Sequence, residues 1–225
     1  MEIRPIATIF NCYSNKFGVP RQSALIEEAF SEIKFLKPYS NPDAVRGLDD
    51  FSHIWLIWQF DKSMTDKFIP TVRPPRLGGN KRVGVFASRS PFRPNNLGLS
   101  CVKLEEIKYD EKNHPVLIVS GADLISGTPI FDIKPYISFS DCHSDAISGY
   151  ADAMKDYALT VENTHKLDYI NDIKLRDTII KILESDPRPS YQNDENRIYG
   201  FAVGGYEIKF KVQNGKVIIT EVKNG

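Results

Sequence analysis

Arginine and proline are concentrated in two neighbouring stretches of the sequence, residues 73–80 and 84–98. Together the two stretches contain four prolines and four arginines, Arg73, Arg76, Arg89 and Arg93. A guanidinium group presents a planar set of donors that matches a phosphate or a carboxylate, and proline restricts the path of the backbone. A loop that only connects two elements has little need of this composition. We therefore expect these stretches to bind an anionic group.

A neutral net charge conceals an uneven charge distribution. The 225 residues contain 29 Lys and Arg and 29 Asp and Glu. No acidic residue occurs between Asp66 and Glu105, and that segment carries a charge of +8, from Lys67, Arg73, Arg76, Lys81, Arg82, Arg89, Arg93 and Lys103. A basic segment of this kind is typical of a surface that binds anions or nucleic acid, although solvated faces and loops would also suit these charges.

The cysteines and the apolar runs indicate the compartment. Cys12, Cys101 and Cys142 are widely spaced and form no CxxC pair, as is typical of reduced thiols in a cytosolic protein. No signal peptide is visible, and the longest apolar run, residues 54–58, is far shorter than the roughly 20 residues that span a bilayer. Cys142 and His143 have no second pair of ligands nearby. We expect a cytoplasmic protein with no membrane segment and no metal.

The apolar pattern predicts many short strands in the first two thirds of the chain. Because no helices alternate with these strands, the pattern favours a barrel or a sandwich over a βαβ fold. Trp55 and Trp58 are three positions apart in one strand and should therefore point to opposite faces, one of them to the core. The predicted strands cover residues 3–13, 32–36, 51–60, 83–87, 99–109, 116–120 and 130–135.

A second region is predicted after the polar segment 140–153. Apolar residues near helical spacing predict a helix over 172–184. Segments 197–213 and 216–222 flank Asn214-Gly215, a sequence typical of hairpin turns. We therefore divide the chain into a β-barrel domain, residues 1–145, and a small C-terminal α+β subdomain, residues 146–225.

A series of short motifs extends over nearly the whole chain. They are Pro20-Arg21-Gln22 and residues 43–48 (DAVRGL), 51–55 (FSHIW), 73–79 (RPPRLGG), 83–98, 123–129 (DLISGTP), 132–136 (DIKPY) and 186–189 (DPRP). Taken together, these motifs resemble those of the TsaA-like β-barrel proteins and, among them, the TrmO family of tRNA methyltransferases. Each motif alone is weak, but the combination is specific.

The resemblance implies a fold, a cofactor and a reaction. The fold is mainly β, a TsaA-like barrel with a small helix-plus-hairpin subdomain, working as a homodimer with the cofactor near the subunit interface. The reaction is S-adenosylmethionine-dependent methylation of N6-threonylcarbamoyladenosine (t6A) at position 37, beside the anticodon of threonine tRNA, to m6t6A. Carried over motif by motif, the cofactor contacts fall on Arg21, Gln22, Ser23, Asp61, Lys62, Arg89, Leu99, Gly121, Ala122, Asp123 and Leu124.

Side-chain chemistry indicates roles for some of these residues. Asp123 is the candidate general base or a contact of a cofactor hydroxyl, although a turn-capping aspartate would also fit. Phe86 and Phe92 would stack on a base or on the cofactor's adenine, although Phe86 would equally suit a packed interior. The expected contacts with tRNA phosphates are Arg73, Arg76, Lys81, Arg82 and Arg93.

Two other functions stay open at this point. A non-catalytic RNA-binding barrel would use the same basic surface without binding a cofactor. A small-molecule methyltransferase would keep the cofactor pocket and would be indifferent to charge reversal at Arg73 or Arg76.

Overall fold

Short strands fill the first half of the chain, as the apolar pattern predicts. The computed structural model describes residues 2–61, 68–74, 81–155, 157–188 and 194–225. The strands are β1 (Ala7–Phe10), β2 (Phe30–Phe35), β3 (His53–Gln59), β4 (Thr71–Val72), β5 (Val83–Gly84), β6 (Leu97–Tyr109), β7 (Pro115–Ser120), β8 (Pro129–Pro135), β9 (Thr160–Glu162), β10 (Tyr199–Val203), β11 (Tyr206–Gln213) and β12 (Lys216–Asn224). The helices are α1 (Ser138–Asp141) and α2 (Ile173–Glu184), with 3-10 turns at Pro42–Val45, Leu48–Asp50, Val85–Ala87, Gly149–Met154 and Thr164–Leu167.

Six of the strands form a closed antiparallel barrel in the order β1-β2-β7-β6-β3-β8, with β8 pairing back to β1. Closure leaves no unpaired sheet edge. The period-2 pattern of β3 turns Ile54, Leu56 and Trp58 into the barrel, where each is at most 5% exposed. Trp55 lies on the outer face, where its indole N–H donates to Asp141 at 2.9 Å. The predicted mainly β barrel is confirmed.

The C-terminal region is a four-stranded sheet, in the order β10-β11-β12-β9, together with α2. Asp172 caps α2 by accepting a hydrogen bond from the Leu175 N–H at 3.1 Å. The predicted segment 197–213 is two strands rather than one, because Gly204 and Gly205 both have positive φ and form a turn. Across the described residues, no helix is long and apolar enough to cross a membrane.

The core of the C-terminal region includes residues from the start of the chain. Tyr13, Ile26 and Ala29, from the segment that joins β1 to β2, are at most 4% exposed and pack with the apolar side of α2 and the sheet. Tyr13 also forms a β-bridge with Val203. The barrel and the C-terminal region are therefore connected through a shared apolar segment.

Candidate functional site

Two loops meet at one end of the barrel, residues 21–24 and residues 121–124. The Ala24 N–H donates to the Gly121 carbonyl at 2.8 Å. Gly121 has a φ of +76°, and a Cβ there would lie 3.2 Å from the Ala24 Cα. Ala24 itself has a φ of +62°. The crossing of the two loops therefore depends on the missing side chain at position 121.

Asp123 is anchored from inside the barrel. The Ser100 hydroxyl donates to its Oδ1 at 2.5 Å, and the Trp58 indole N–H donates to the Ser100 Oγ at 2.9 Å. The Trp58 ring lies across Gly98, where a Cβ would be only 2.3 Å from the ring. Strands β3 and β6 thereby fix the carboxylate in one orientation.

The surroundings of Asp123 make it harder to ionise. Burial raises the pKa of this carboxyl group, and the hydrogen bonds from Ser100 and from backbone N–H groups, one of them that of Ser23, lower it only in part. The charge of Arg89 acts in the same lowering direction. Arg89 also donates a hydrogen bond to the Gln22 side-chain oxygen. A buried carboxyl group with a raised pKa suits proton transfer or the binding of a ligand hydroxyl.

The other expected cofactor contacts differ in which of their atoms a ligand could reach. Ala122 and Leu124 are at most 1% exposed and belong to the barrel core, so only their backbone atoms are available to a ligand. Leu99 is 56% exposed on the outside of the barrel. Asp61 is exposed directly beyond β3, and Lys62 lies outside the described residues.

Arg21 points toward the C-terminal region. Its guanidinium donates to the carbonyl oxygens of Asp186 at 2.9 Å and of Arg188 at 2.7 Å. These hydrogen bonds fix the loop that continues into Gln22 and Ser23. The structure thus gives Arg21 a positioning role, and a direct contact with the cofactor stays a prediction.

The gathered groups fit the chemistry of the expected cofactor, S-adenosylmethionine. Its hydroxyl groups need an acceptor such as Asp123, and its carboxylate needs a cation such as Arg89. Within the described residues, no three His, Cys, Asp or Glu side chains are close enough together to hold a metal ion.

A basic ribbon, β4 paired with β5, carries three of the five expected phosphate contacts. Val72 pairs with Val83, so Arg73 and Arg82, the next residues outward, share one end of the ribbon beside Lys81. All three are exposed, and in the described part of the chain no carboxylate forms an ion pair with them. Arg76 lies outside the described residues.

An aromatic pair stands at the other end of the ribbon. Phe68 and Phe86 are stacked with ring centroids 6.4 Å apart and are 59% and 71% exposed. The alternative prediction, that Phe86 packs in the interior, is therefore wrong.

Arg93 lies 5.7 Å from the centre of the Phe86 ring, and its guanidinium donates to the carbonyls of Val85 and Ser88 at 3.2 and 2.6 Å. Arg93 thus supports the aromatic turn, and its expected phosphate contact stays a prediction. Phe92 is 43% exposed.

Sequence reasoning missed Ser100, Ala24 and Phe68. Ser100 could have been identified from the sequence, because it is a polar residue at an inward position of an otherwise apolar alternation in β6. Ala24 and Phe68 could not, because the sequence shows neither the positive φ of an alanine nor the exposure of a phenylalanine.

Comparison with known proteins gives matches to both parts of the chain. The family model of the tRNA-methyltransferase O N-terminal domain matches residues 8–142, and that of the TrmO C-terminal domain matches residues 156–225. The chain is 38% identical to a tRNA (adenine(37)-N6)-methyltransferase of Escherichia coli (strain K12), covering 94% of this chain and 93% of that protein. It is 39% identical to a putative S-adenosylmethionine-dependent methyltransferase, RcsF, of Pseudomonas aeruginosa strain PAO1, covering 88% and 87%.

A solved structure is similar over the whole length. A crystal structure of TrmO from Pseudomonas aeruginosa aligns with a TM-score of 0.79 at 29% identity, covering 100% of this chain and 97% of that chain.

Proposed function

Since this chain belongs to the tRNA-methyltransferase O family, we propose that it methylates N6 of adenosine 37 in tRNA when that adenosine already carries a threonylcarbamoyl group. The product is m6t6A, and threonine tRNA is the expected substrate. The coarser activity, S-adenosylmethionine-dependent N6-methylation of adenosine 37, rests on relatives that cover nearly the whole chain. The threonylcarbamoyl requirement is what the resemblance to the TrmO motifs implies, and the acid–base chemistry of the site supports it.

The observation that carries the proposal is the partly buried Asp123 carboxylate, held by Ser100. An adenine amino group is a weak nucleophile, and the N6–H of threonylcarbamoyladenosine lies beside a carbonyl group and is more acidic than a simple adenine amine. A base with a raised pKa is matched to such a proton. Burial raises the pKa of Asp123 in this way, so we assign it the removal of the N6 proton.

The remaining residues of the site orient Asp123 and the cofactor. Bound S-adenosylmethionine supplies a methyl group on a positively charged sulfur. Ser100 and Trp58 fix the rotamer of Asp123, and Arg89 supplies a cation for the cofactor's carboxylate beside Gln22. Methyl transfer needs in-line geometry more than covalent catalysis, so this fixed arrangement accounts for much of the expected rate.

The ribbon provides the proposed RNA contacts. The anticodon loop is single-stranded, and its unstacked bases are what exposed aromatic side chains bind. Phe68 and Phe86 offer stacked, exposed rings, and Arg73 and Arg82 offer exposed charges for phosphates at the opposite end of the same ribbon.

The outer face of β3 and β6 supports the expected homodimer. Ile57 pairs with Leu99 and Trp55 pairs with Cys101, and all four side chains lie on the outside of the barrel. This apolar patch includes the proposed cofactor contact Leu99. A second copy of the chain that covers the patch would place the cofactor at the subunit interface. Sedimentation of the Leu99→Glu variant tests this, with a shift from dimer to monomer expected.

The first experiment combines calorimetric titration with S-adenosylmethionine and methylation of tRNA with and without t6A at position 37. We expect saturable cofactor binding, and methylation of the t6A-containing tRNA at least about 100-fold faster than of the unmodified tRNA, because the more acidic N6 proton is easier to remove. Equal rates would contradict the threonylcarbamoyl requirement. Methyl transfer to small molecules alone would favour a small-molecule methyltransferase, and absence of cofactor binding would favour an RNA-binding barrel.

A further inference from the structure

A cavity of about 420 Å³ lies in the C-terminal region, between the first loop of the chain and the β10–β11 pair. Its walls include Lys16 and Phe17 from the first loop, Arg188, Arg197 just before β10, and Tyr199 and Phe210 on the sheet. None of these belongs to the site around Asp123 or to the basic ribbon. A cavity of this size accommodates a small organic ligand.

The charge of the cavity is positive. Among the described residues, Lys16, Arg188 and Arg197 line it, and no acidic side chain does. Arg188 is neutralised by Asp186, to which it donates two hydrogen bonds at 2.8 and 2.9 Å. Lys16 and Arg197 form no ion pair with any described residue. Two cations thus stay available to an anionic ligand.

The same walls are aromatic. Tyr199 stacks on Phe210 with ring centroids 5.6 Å apart, and Arg197 lies 5.5 Å from the centre of the Tyr199 ring. The hydroxyl of Tyr199 is buried and has no hydrogen-bond partner among the described residues. Phe17 is 47% exposed, with the Lys16 ammonium 5.3 Å from its ring centre. Aromatic faces beside unpaired cations suit a ligand that combines a flat ring with a negative charge, as a nucleotide does.

The cavity is coupled to the loop at Asp123. Arg188 is a wall residue, and its carbonyl accepts a hydrogen bond from Arg21 at 2.7 Å. Arg21 immediately precedes Gln22, which accepts a hydrogen bond from Arg89. A ligand in the cavity would therefore contact the same segment that positions the proposed cofactor loop.

We propose that this cavity binds an anionic nucleotide of the tRNA substrate, as a contact separate from the basic ribbon. The inference rests on the proposed function for the identity of the RNA. The anionic group is a backbone phosphate, because the carboxylate of the threonylcarbamoyl group is attached to the base that reacts at the separate site around Asp123. The helix-and-sheet region then serves as a substrate-binding element.

The test compares Arg197→Ala and Lys16→Ala with Lys112→Ala, which removes an exposed cation at the β6–β7 turn, outside the cavity. Binding of tRNA with t6A and of unmodified tRNA is measured over a range of salt concentrations, and methylation kinetics are measured with the t6A-containing tRNA. The cavity variants should bind about ten-fold more weakly, the effect of one lost charge-assisted contact. KM should rise while kcat stays unchanged. All three side chains are exposed, and thermal midpoints close to the parent's verify folding.

The pattern of the loss tests the phosphate assignment. Equal weakening with both RNAs, with a salt slope smaller by about one, supports a phosphate contact. Weakening confined to the t6A-containing tRNA would contradict it. Cavity variants that bind both RNAs as well as Lys112→Ala does would overturn the inference. If the parent protein binds tRNA but does not methylate it, the proposed function fails, while the binding comparison still decides the role of the cavity.

Discussion

At the residue scale, Asp123 combines a functional advantage with a cost to stability. Its pKa in the folded protein is above the ordinary value of 3.8 because it is buried. The folded state therefore holds this proton more tightly than the unfolded state does. The corresponding stability is fully present below the ordinary pKa and is lost as the pH rises through the folded-state value. At neutral pH the ionised carboxylate destabilises the fold, as is common for groups kept for function.

Asp123→Asn should therefore abolish most activity and raise stability. We expect kcat to fall by about 10²- to 10⁴-fold, the usual effect of removing a general base. The thermal midpoint should rise at neutral pH, because the amide is never ionised and still accepts the hydrogen bond from Ser100. The gain should shrink toward zero as the pH approaches 3.8. Calorimetric unfolding from pH 3.5 to 8 measures it, and the exposed Asp145→Asn serves as the control. A midpoint that falls at neutral pH would contradict the assignment.

At the element scale, the site depends on the crossing of loops 21–24 and 121–124. Gly121→Ala introduces two costs, a left-handed φ and a Cβ 3.2 Å from backbone. Gly127→Ala is the matched control, since its φ is +90° and a Cβ there meets nothing within 4 Å. The φ alone should cost about 1 to 2 kcal/mol in each variant. Gly121→Ala should cost more and should also weaken cofactor binding, as denaturant unfolding and calorimetric titration would detect. Equal effects of the two variants would mean that the crossing is not tight.

Local pattern accounts for the elements that the sequence predicted correctly. The apolar and aromatic content of residues 51–60 and 99–109 placed β3 and β6, the near-helical spacing of apolar residues over 172–184 placed α2, and Asn214-Gly215 placed the β11–β12 turn. The contacts that build the site are not local. Ser100 meets Asp123 across 23 positions, and Arg21 meets Asp186 across 165. The sequence identified Asp123 and Arg21 as candidates but not their partners, which only the folded chain brings to them.

The sequence also could not show which arginine side chains extend into solvent and which donate to nearby carbonyls. Arg73 and Arg93 look equivalent in a basic, proline-rich stretch. In the structure Arg93 donates to two carbonyls of its own turn, whereas Arg73 is exposed at the end of the ribbon. Backbone carbonyls compete with phosphates for guanidinium groups, and they occur beside every residue type. Charge counting therefore overestimates the number of arginines that are free to bind RNA.

At the scale of the whole molecule, the turn at Asp186 links the C-terminal region to the loop of residues 21–24 through the hydrogen bond from Arg21. Burial raises the pKa of the Asp186 carboxyl group, but the hydrogen bonds and the charge of Arg188, with a hydrogen bond from Tyr157, outweigh that effect and leave the pKa below its ordinary value. Its stabilising contribution is therefore present above the ordinary pKa of 3.8 and is lost as the pH falls through the folded-state value.

Asp186→Asn should lower the thermal midpoint at neutral pH by a few degrees and should weaken S-adenosylmethionine binding. The loss of affinity follows because the Asp186 turn holds Arg21, and Arg21 holds the segment that contains Gln22 and Ser23. Calorimetric titration at pH 7 measures this, with Asp168→Asn as the control, since the exposed Asp168 side chain forms an ion pair with Arg176 at 3.7 Å, away from Arg21 and the Asp186 turn. Unchanged cofactor affinity in a destabilised Asp186→Asn protein would show that the two regions are not coupled in this way.

The shared apolar segment predicts that the barrel and the C-terminal region unfold as one cooperative unit. Tyr13, Ile26 and Ala29 pack in the C-terminal core although they lie between two barrel strands, so the core cannot open without releasing that segment. Ile179→Ala in α2, where the side chain is 0% exposed, should cost about 2 to 5 kcal/mol. Both tryptophans lie on β3, so their fluorescence reports the barrel alone. The denaturant midpoint of the tryptophan fluorescence should shift by as much as the midpoint of the far-ultraviolet circular dichroism does. A barrel midpoint that stays in place while the C-terminal region unfolds would mean that the two cores unfold separately.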